Sequence, residues 1–410
     1  MNKYLLLFFT GILIYFCGCS QPSGVQQNNV HSKIIPAAER LNVVLPLLKG
    51  KRVAVFSNNT SMVGNTHLVD TLLKLHVDIK KIFAPEHGFR GNADAGENVS
   101  NSTDKETGVE VISLYGKKRK PAKDDVQDVD VILFDIQDVG TRFFTYISSL
   151  QDLIGGSMEL DKPIIILDRP NPNGFYVDGP VLKPAFKSFL GMQQIPIVYG
   201  MTIGEYAKML IGENWIDSAS RSKKGRHFTL TVVPCENYTH KSKYTLPIKP
   251  SPNLPDMASI YLYPSTCFVE GTVMSEGRGT DMAFQVFGHP TLPDTLYSFT
   301  PHSKPGATNT KLLDRKCYGW NLGGTNEEVL KKTDGKVQVK WIAEAYRLFP
   351  RKDSFFLNNG KNFNRLAGND ELIVQIKNDI SEKEIRDSWK PGLDNFKRIR
   401  KKYLMYKDFE

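Results

Sequence analysis

Glu86, His87 and Arg90 sit on one short loop, within the string Phe83-Ala84-Pro85-Glu86-His87-Gly88-Phe89-Arg90-Gly91, so a carboxylate, an imidazole and a guanidinium can act together. The apolar run Ile79 to Ala84 leads into that loop and reads as a buried strand. In open α/β sheets the C-terminal ends of strands are where ligands bind. Glu86 is therefore the first candidate for proton transfer, with His87 beside it, although an ion pair from Glu86 to Arg90 across a turn is the plainer alternative. Other apolar runs end the same way, in Asn58-Asn59-Thr60, in Tyr115-Gly116, in Asp135 through Arg142 and in Asp168 through Gly174. That row offers Asp135 and Asp168 as further catalytic carboxylates, and Asn59, Gln137, Asp138, Arg142, Arg169 and Asn171 as substrate ligands. A second dense patch in the later half, with Asn253, Glu270, Glu276 and Arg278 among prolines and glycines, reads as the opposite wall of a cleft.

The motifs that are missing narrow the class. There is no GxGxxG after the first strand, no GxxxxGKS/T and no GxSxG, which removes the dinucleotide fingerprint, the phosphate loop and the acyl-transfer serine. Asp135, Asp138 and Asp168 have the chemistry to bind a hard cation, but carboxylates that cap helices or pair with Arg142 and Arg169 are commoner. Of five cysteines, Cys235, Cys267 and Cys317 lie in the body of the chain, with no CxxC and no His-rich spacing for zinc and room for one bridge at most. No metal and no cofactor is expected. What is left is acid/base work by carboxylates among amides and aromatics, which is how glycosidic bonds are cut.

The elements that must position these groups follow from periodicity. Short, continuously apolar runs at Arg52–Ser57, Ile79–Ala84, Val109–Leu114, Val129–Phe134, Pro163–Leu167 and Phe228–Val233 alternate with helical stretches at His67–Leu75, Phe143–Leu153 and Thr202–Ile211. This is the pattern of an α/β fold with a mainly parallel sheet, covered on both faces and linked by crossover helices. From about Pro250 the texture changes to Pro/Gly/aromatic segments and mixed pieces, ending in a charged helix from Glu382 to about Tyr406. The expected organisation is a leader at 1–19, a tether at 20–34, a first domain at 35–245 and a smaller α+β domain at 246–410. The leader is an apolar run, Tyr4 to Gly18, behind Lys3, too short to span a bilayer comfortably. It ends in Cys17-Gly18-Cys19, which resembles a lipobox with Cys19 as the lipidated residue; Cys17 competes for that role, and an ordinary cleaved signal peptide or an uncleaved anchor is the alternative. Export and a membrane anchor follow from the lipobox reading. The net charge of +9 suits an anionic surface, and export argues against nucleic acid. The basic run Lys117-Lys118-Arg119-Lys120 reads as a solvated loop.

The strings Ala84 through Gly91, Phe134 through Tyr146, Leu167 through Gly174, Asp178-Gly179-Pro180-Val181, Pro196 through Thr202, Pro252 through Pro255 and Glu270 through Thr280 closely resemble the NamZ-type exo-β-N-acetylmuramidases, glycoside hydrolase family 171. Val273 and Met274 are a local variation. The likeness runs from Ile35 to Tyr406. It implies a Rossmann-like first domain, a smaller second one and a cleft between them. It also implies release of N-acetylmuramic acid from the non-reducing ends of peptidoglycan-derived glycans, with Glu86 at the position of the family's proposed catalytic glutamate; on physical grounds Glu86 is expected to act as general acid, with His87 orienting it. The lactyl carboxylate of that sugar calls for a cation, for which Arg90, Arg142, Arg169 and Arg278 are candidates. The second participant stays open between Asp135, Asp138, Asp168 and the substrate's own N-acetyl group. Two other functions remain: a cell-wall-glycan-binding lipoprotein without turnover, and a metal-dependent hydrolase built on Asp135 and Asp138.

Overall fold

A computed structural model describes residues 32–91, 96–97, 100–216 and 228–410. Cys19, the leader and most of the tether lie outside the described residues. Ile34–Glu410 forms one compact unit.

Its centre is a seven-stranded sheet built from β1 (Arg52–Ser57), β4 (Asp78–Ala84), β5 (Ser102–Thr103), β6 (Glu110–Ser113), β7 (Val131–Asp135), β8 (Ile164–Leu167) and β9 (Leu230–Val233), with the two-residue β2 (Met62–Val63) and β3 (Thr66–His67) forming a separate ribbon. The spatial order is β5-β6-β4-β1-β7-β8-β9, and every pair is parallel except the short edge strand β5. Setting β5 aside, the parallel strands run third, second, first, fourth, fifth, sixth in chain order. That is the doubly wound arrangement, whose strand order reverses at β1 and opens a crevice there.

Side-chain alternation explains why the strands read as unbroken apolar runs. Ala54 and Phe56, Ile132 and Phe134, and Ile164 and Ile166 enter the core on one face; Val53 and Val55, Val131 and Leu133, and Ile165 and Leu167 enter the core on the other. The second face is covered by α1 (Leu41–Leu48) and α2 (Leu68–Lys74). The first is covered by α3 (Tyr146–Glu159), α4 (Ile203–Gly212) and α5 (Met257–Thr266).

The later half adds a three-stranded antiparallel sheet of β10 (Val286–His289), β11 (Tyr297–Phe299) and β12 (Cys317–Asn321), then α6 (Asn326–Thr333), α7 (Lys340–Leu348), α8 (Lys361–Ala367), α9 (Glu371–Lys377) and α10 (Glu382–Arg400). Its apolar residues, from Phe284 to Phe396, belong to the same cluster as the first sheet face. Cys235, Cys267 and Cys317 are all buried free thiols, and the bridge that the sequence allowed is not formed.

Most elements lie within two residues of their sequence boundaries, and two helices depart further for physical reasons. The helix expected from Phe143 starts at Tyr146, because Phe143, Phe144 and Thr145 turn inward to line a cavity. The last helix ends at Arg400 rather than near Tyr406. Tyr406 instead folds back, donating its hydroxyl proton to Asp168 Oδ2 at 2.6 Å and accepting from the Cys235 amide at 2.9 Å.

Candidate active site

Glu86 is presented by the turn that ends β4. The Gly88 amide donates to the Pro85 carbonyl at 3.0 Å, and His87 and Gly88 both adopt left-handed backbone, at φ 68° and 75°. For a non-glycine residue such as His87 that conformation costs about 1 kcal/mol or more, strain of the kind that collects at functional sites. The half-buried Glu86 carboxylate is then held by three separate segments. Its Oε1 accepts from the Gly96 amide and from the Tyr115 hydroxyl, both at 2.9 Å, and its Oε2 accepts from the Thr145 hydroxyl at 2.7 Å. His87 Nε2 stands 3.5 Å from the Ser251 hydroxyl, a long contact. The Glu86–Arg90 pair does not form: Arg90 is engaged by Asp104 in a two-pronged bridge of 3.0 and 2.8 Å and by Glu106 at 3.1 Å.

Glu86 and His87 line a cavity of about 440 Å³. Phe143, Phe144 and Tyr146 form part of it, Tyr263 of α5 packs edge-on against both phenylalanines, and Tyr115, Phe189 and Leu190 complete an aromatic and apolar surround. Burial, together with the adjoining Glu86 carboxylate, holds the Tyr115 phenol above its ordinary range, so this hydroxyl keeps its proton and remains a donor.

The later half supplies the facing charges. Glu270 is bridged to Arg278, both in the cavity lining, and Arg278 also contacts Glu276 at 3.2 Å. Glu276 lies behind the lining and pairs with Lys311 at 2.8 Å. Burial works against its charge, but Lys311 and Arg278 outweigh burial and hold the carboxyl below its usual range. The site therefore joins two half-buried carboxylates, Glu86 and Glu270, with hydroxyl donors and aromatic faces, a lining suited to a ring that carries both hydroxyls and apolar C–H surface. A larger hollow of about 680 Å³ lies at the opposite ends of the strands, near the start of β4. Its one carboxylate, Asp78, is exposed and paired with Lys80 at 2.8 Å. Among the described residues no group of three or more His, Cys, Asp or Glu side chains is placed to hold a metal ion.

Most of the polar row does not reach the cavity, and the expectation that it would converge there is corrected on physical grounds. Asp135 is fully buried and clamped by Arg169 through bonds of 2.6 and 2.8 Å. Asp168 is also fully buried, accepting from Thr202, Gly204, Arg169 and Tyr406, so all its acceptor positions are filled. Asp138 accepts from the Gly140 amide and the Tyr199 hydroxyl, and burial pushes its carboxyl up to about 7. Asp135 and Asp138 therefore do not form the cation site that the sequence left open.

Arg142 has no carboxylate partner and donates instead to the carbonyls of Pro180, Ile195, Leu366 and Ala367 at 2.8 to 2.9 Å. Burial lowers its guanidinium to about 9. It ties the loop after Asp178 to the end of α8. Gln137 and Asn171 likewise brace neighbouring carbonyls. Gly140 sits at φ 77°, where a Cβ would lie 2.2 Å from the Asn171 amide oxygen. Asn59 and Asn253 bond to the carbonyls of Lys249 and Gly306 outside the lining. Of the cations proposed for carboxylate recognition, Arg90, Arg142 and Arg169 are all taken up by the protein itself, and only Arg278 lines the cavity.

Sequence reasoning missed Arg119, which was read as part of a solvated loop yet belongs to the cavity lining. It also assigned no role to Tyr115, Phe143, Phe144, Thr145, Tyr146, Phe189, Ser251 or Tyr263. Tyr115 carried a usable signal as the first residue beyond a strand end. Phe189 carried none, because only the fold brings its turn over the cavity.

Two family models together match nearly the whole chain: "Exo-beta-N-acetylmuramidase NamZ, N-terminal" over residues 53–258 and "Exo-beta-N-acetylmuramidase NamZ, C-terminal" over residues 261–406. The peptidoglycan beta-N-acetylmuramidase NamZ of Bacillus subtilis (strain 168) is 36% identical over 432 residues, spanning 99% of this chain and 100% of that protein. Crystal structures of two DUF1343 family proteins from Bacteroides fragilis NCTC 9343 share the fold. One has a TM-score of 0.83 at 46% identity, covering 92% of this chain and 100% of its own. The other has a TM-score of 0.72 at 27% identity, covering 91% and 99%.

Proposed function

The chain belongs to the exo-β-N-acetylmuramidase NamZ family, and on that premise we infer that it is an exo-acting glycoside hydrolase releasing N-acetylmuramic acid from the non-reducing ends of peptidoglycan-derived glycans. The observation that carries the reading is Glu86, a half-buried carboxylate held by three segments inside an aromatic-walled cavity that contains a second carboxylate, Glu270. Glycosidic cleavage needs a proton delivered to the leaving oxygen and a second group acting at the anomeric carbon. Glu86 handles the proton. The Thr145 hydroxyl can turn from donor to acceptor and so follow Glu86 through both protonation states, while Tyr115 fixes its orientation. Glu270, fixed by Arg278, takes the role that the sequence had offered to Asp135, Asp138 or Asp168. The Tyr263 and Phe144 rings give the sugar's apolar face a surface. A glycan-binding protein without turnover is not favoured, since both carboxylates are present in the cavity.

We further propose that the protein is a lipoprotein of the bacterial envelope anchored through Cys19, a reading supported by the apolar leader that ends in Cys17-Gly18-Cys19. Metabolic labelling with palmitate should mark the wild type and not Cys19→Ala; equal labelling of both would move the anchor to Cys17 or elsewhere.

The reaction is tested by incubating protein lacking residues 1–19 with 4-nitrophenyl β-N-acetylmuramic acid and, in parallel, with the N-acetylglucosamine analogue. Release of nitrophenol from the muramide alone is expected. Release from neither, by folded protein, would sink the hydrolase reading.

A further inference from the structure

The basic run at 117–120 divides in two. Lys118 pairs with Asp125 at 2.6 Å and Lys120 with Glu159 at 2.8 Å, both outside the cavity lining. Arg119, between them, turns into the cavity lining, its guanidinium carbon 4.1 Å from the Phe189 ring centre. Phe189 lies 6.1 Å from the ring of Tyr115, the residue that bonds Glu86. Stacking on an aromatic face occupies the flat side of a guanidinium and leaves its N–H edge free for a planar, two-pronged contact. Among the described residues Arg119 makes no hydrogen bond and no ion pair; Asp152 on α3 feels its charge without touching it.

The other cavity arginine is differently placed. Arg278 already serves Glu270 and Glu276, and Lys311 completes that group, so two carboxylates face two cations with no charge left over. An incoming carboxylate gains nothing there. Among the described residues, only Arg119 offers the cavity an uncompensated cation with open donors.

Resting on the reaction inferred above, we propose that Arg119 is the residue that recognises the lactyl carboxylate of the N-acetylmuramic acid unit, held ready by Phe189. It is a specificity-determining group and takes no part in bond cleavage. The contact with Phe189 aims the side chain before substrate arrives.

The test compares 4-nitrophenyl β-N-acetylmuramic acid with its lactyl methyl ester, which removes the negative charge and adds one methyl group. Wild type is expected to favour the acid in kcat/KM by about 10- to 100-fold, the range of a hydrogen-bonded charge. Arg119→Met should bring the acid-to-ester ratio close to one, mainly through KM, and Arg119→Lys should restore part of it. A merely structural role would depress both substrates together and leave the ratio at its wild-type value, which would overturn the proposal. A loss confined to glycans bearing stem peptides would also overturn it, by assigning the contact to a peptide carboxylate. Should wild type cleave neither substrate, the reaction is wrong. Arg119 is then judged by calorimetry with free N-acetylmuramic acid, where tenfold weaker binding by Arg119→Met supports recognition and unchanged affinity refutes it.

Discussion

The loops after β7 and β8 and the loops around Glu86 have similar residue compositions and opposite structural fates. The first set carries Asp135, Asp138, Asp168, Arg142 and Arg169, nearly all fully buried, each engaged with the protein's own donors or carbonyls. The second carries Glu86 and Tyr115, partly exposed, and Arg119, exposed, which line a cavity together with Thr145 from the far end of the loop after β7. A high density of charged residues at strand ends does not by itself make a site. A group can act on a ligand only where its free hydrogen-bonding capacity reaches that ligand, and the unpartnered atoms of the first set, Asp138 Oδ1 and Arg142 Nε, are buried outside the cavity lining.

The contrast can be tested from its strongest consequence downward. Glu86→Gln should cut turnover by about 10²- to 10⁴-fold, the usual contribution of a positioned acid or base, while calorimetry still detects sugar binding. Glu270→Gln should lose about 10²-fold at the lower end of the same range, and near-full turnover would transfer its role to the substrate's N-acetyl group. On the sealed side the loss should appear in stability instead. Asp135→Asn leaves Arg169 buried without its partner and should cost about 3–5 kcal/mol in urea unfolding, with turnover per folded molecule retained.

Asp138 gives a pH signature. Its carboxyl rises from an ordinary 3.8 to about 7 in the fold, so its contribution to stability is complete below about 4 and is lost as pH rises through about 7. Asp138→Asn should therefore flatten the fall in stability across that interval, by at most about 1.4 kcal/mol per pH unit. An unchanged slope would show that Asp138 is not the group responsible. The smallest effect belongs to Lys120→Ala, which removes a surface pair and should change stability by about 1 kcal/mol or less and turnover not detectably.

The sheet was legible in the sequence because its strands are buried on both faces and so appear as unbroken apolar runs, with β1 recovered to the residue. Glu86 was legible for a related reason: it follows such a strand directly, so local sequence located it. Asp135 and Asp168 follow strands too, and only tertiary partners distant in sequence, Arg169 for one and Tyr406 for the other, reveal that they are closed off. Arg119 was misread because a run of like charges resembles a solvated face. The distinction between Lys118, Arg119 and Lys120 rests on Asp125, Glu159 and Phe189, which periodicity cannot assign. The start of α3 was placed too early because Phe143 and Phe144 continue its apolar pattern while serving the cavity.

The most direct measurement is a crystal structure of the Glu86→Gln variant with an uncleaved disaccharide carrying N-acetylmuramic acid at its non-reducing end. The sugar should fill the cavity between Tyr115 and Tyr263, with the glycosidic oxygen about 2.6–3.2 Å from the side chain at position 86. A glycan bound with its scissile bond beyond reach of both that side chain and Glu270 would contradict the account.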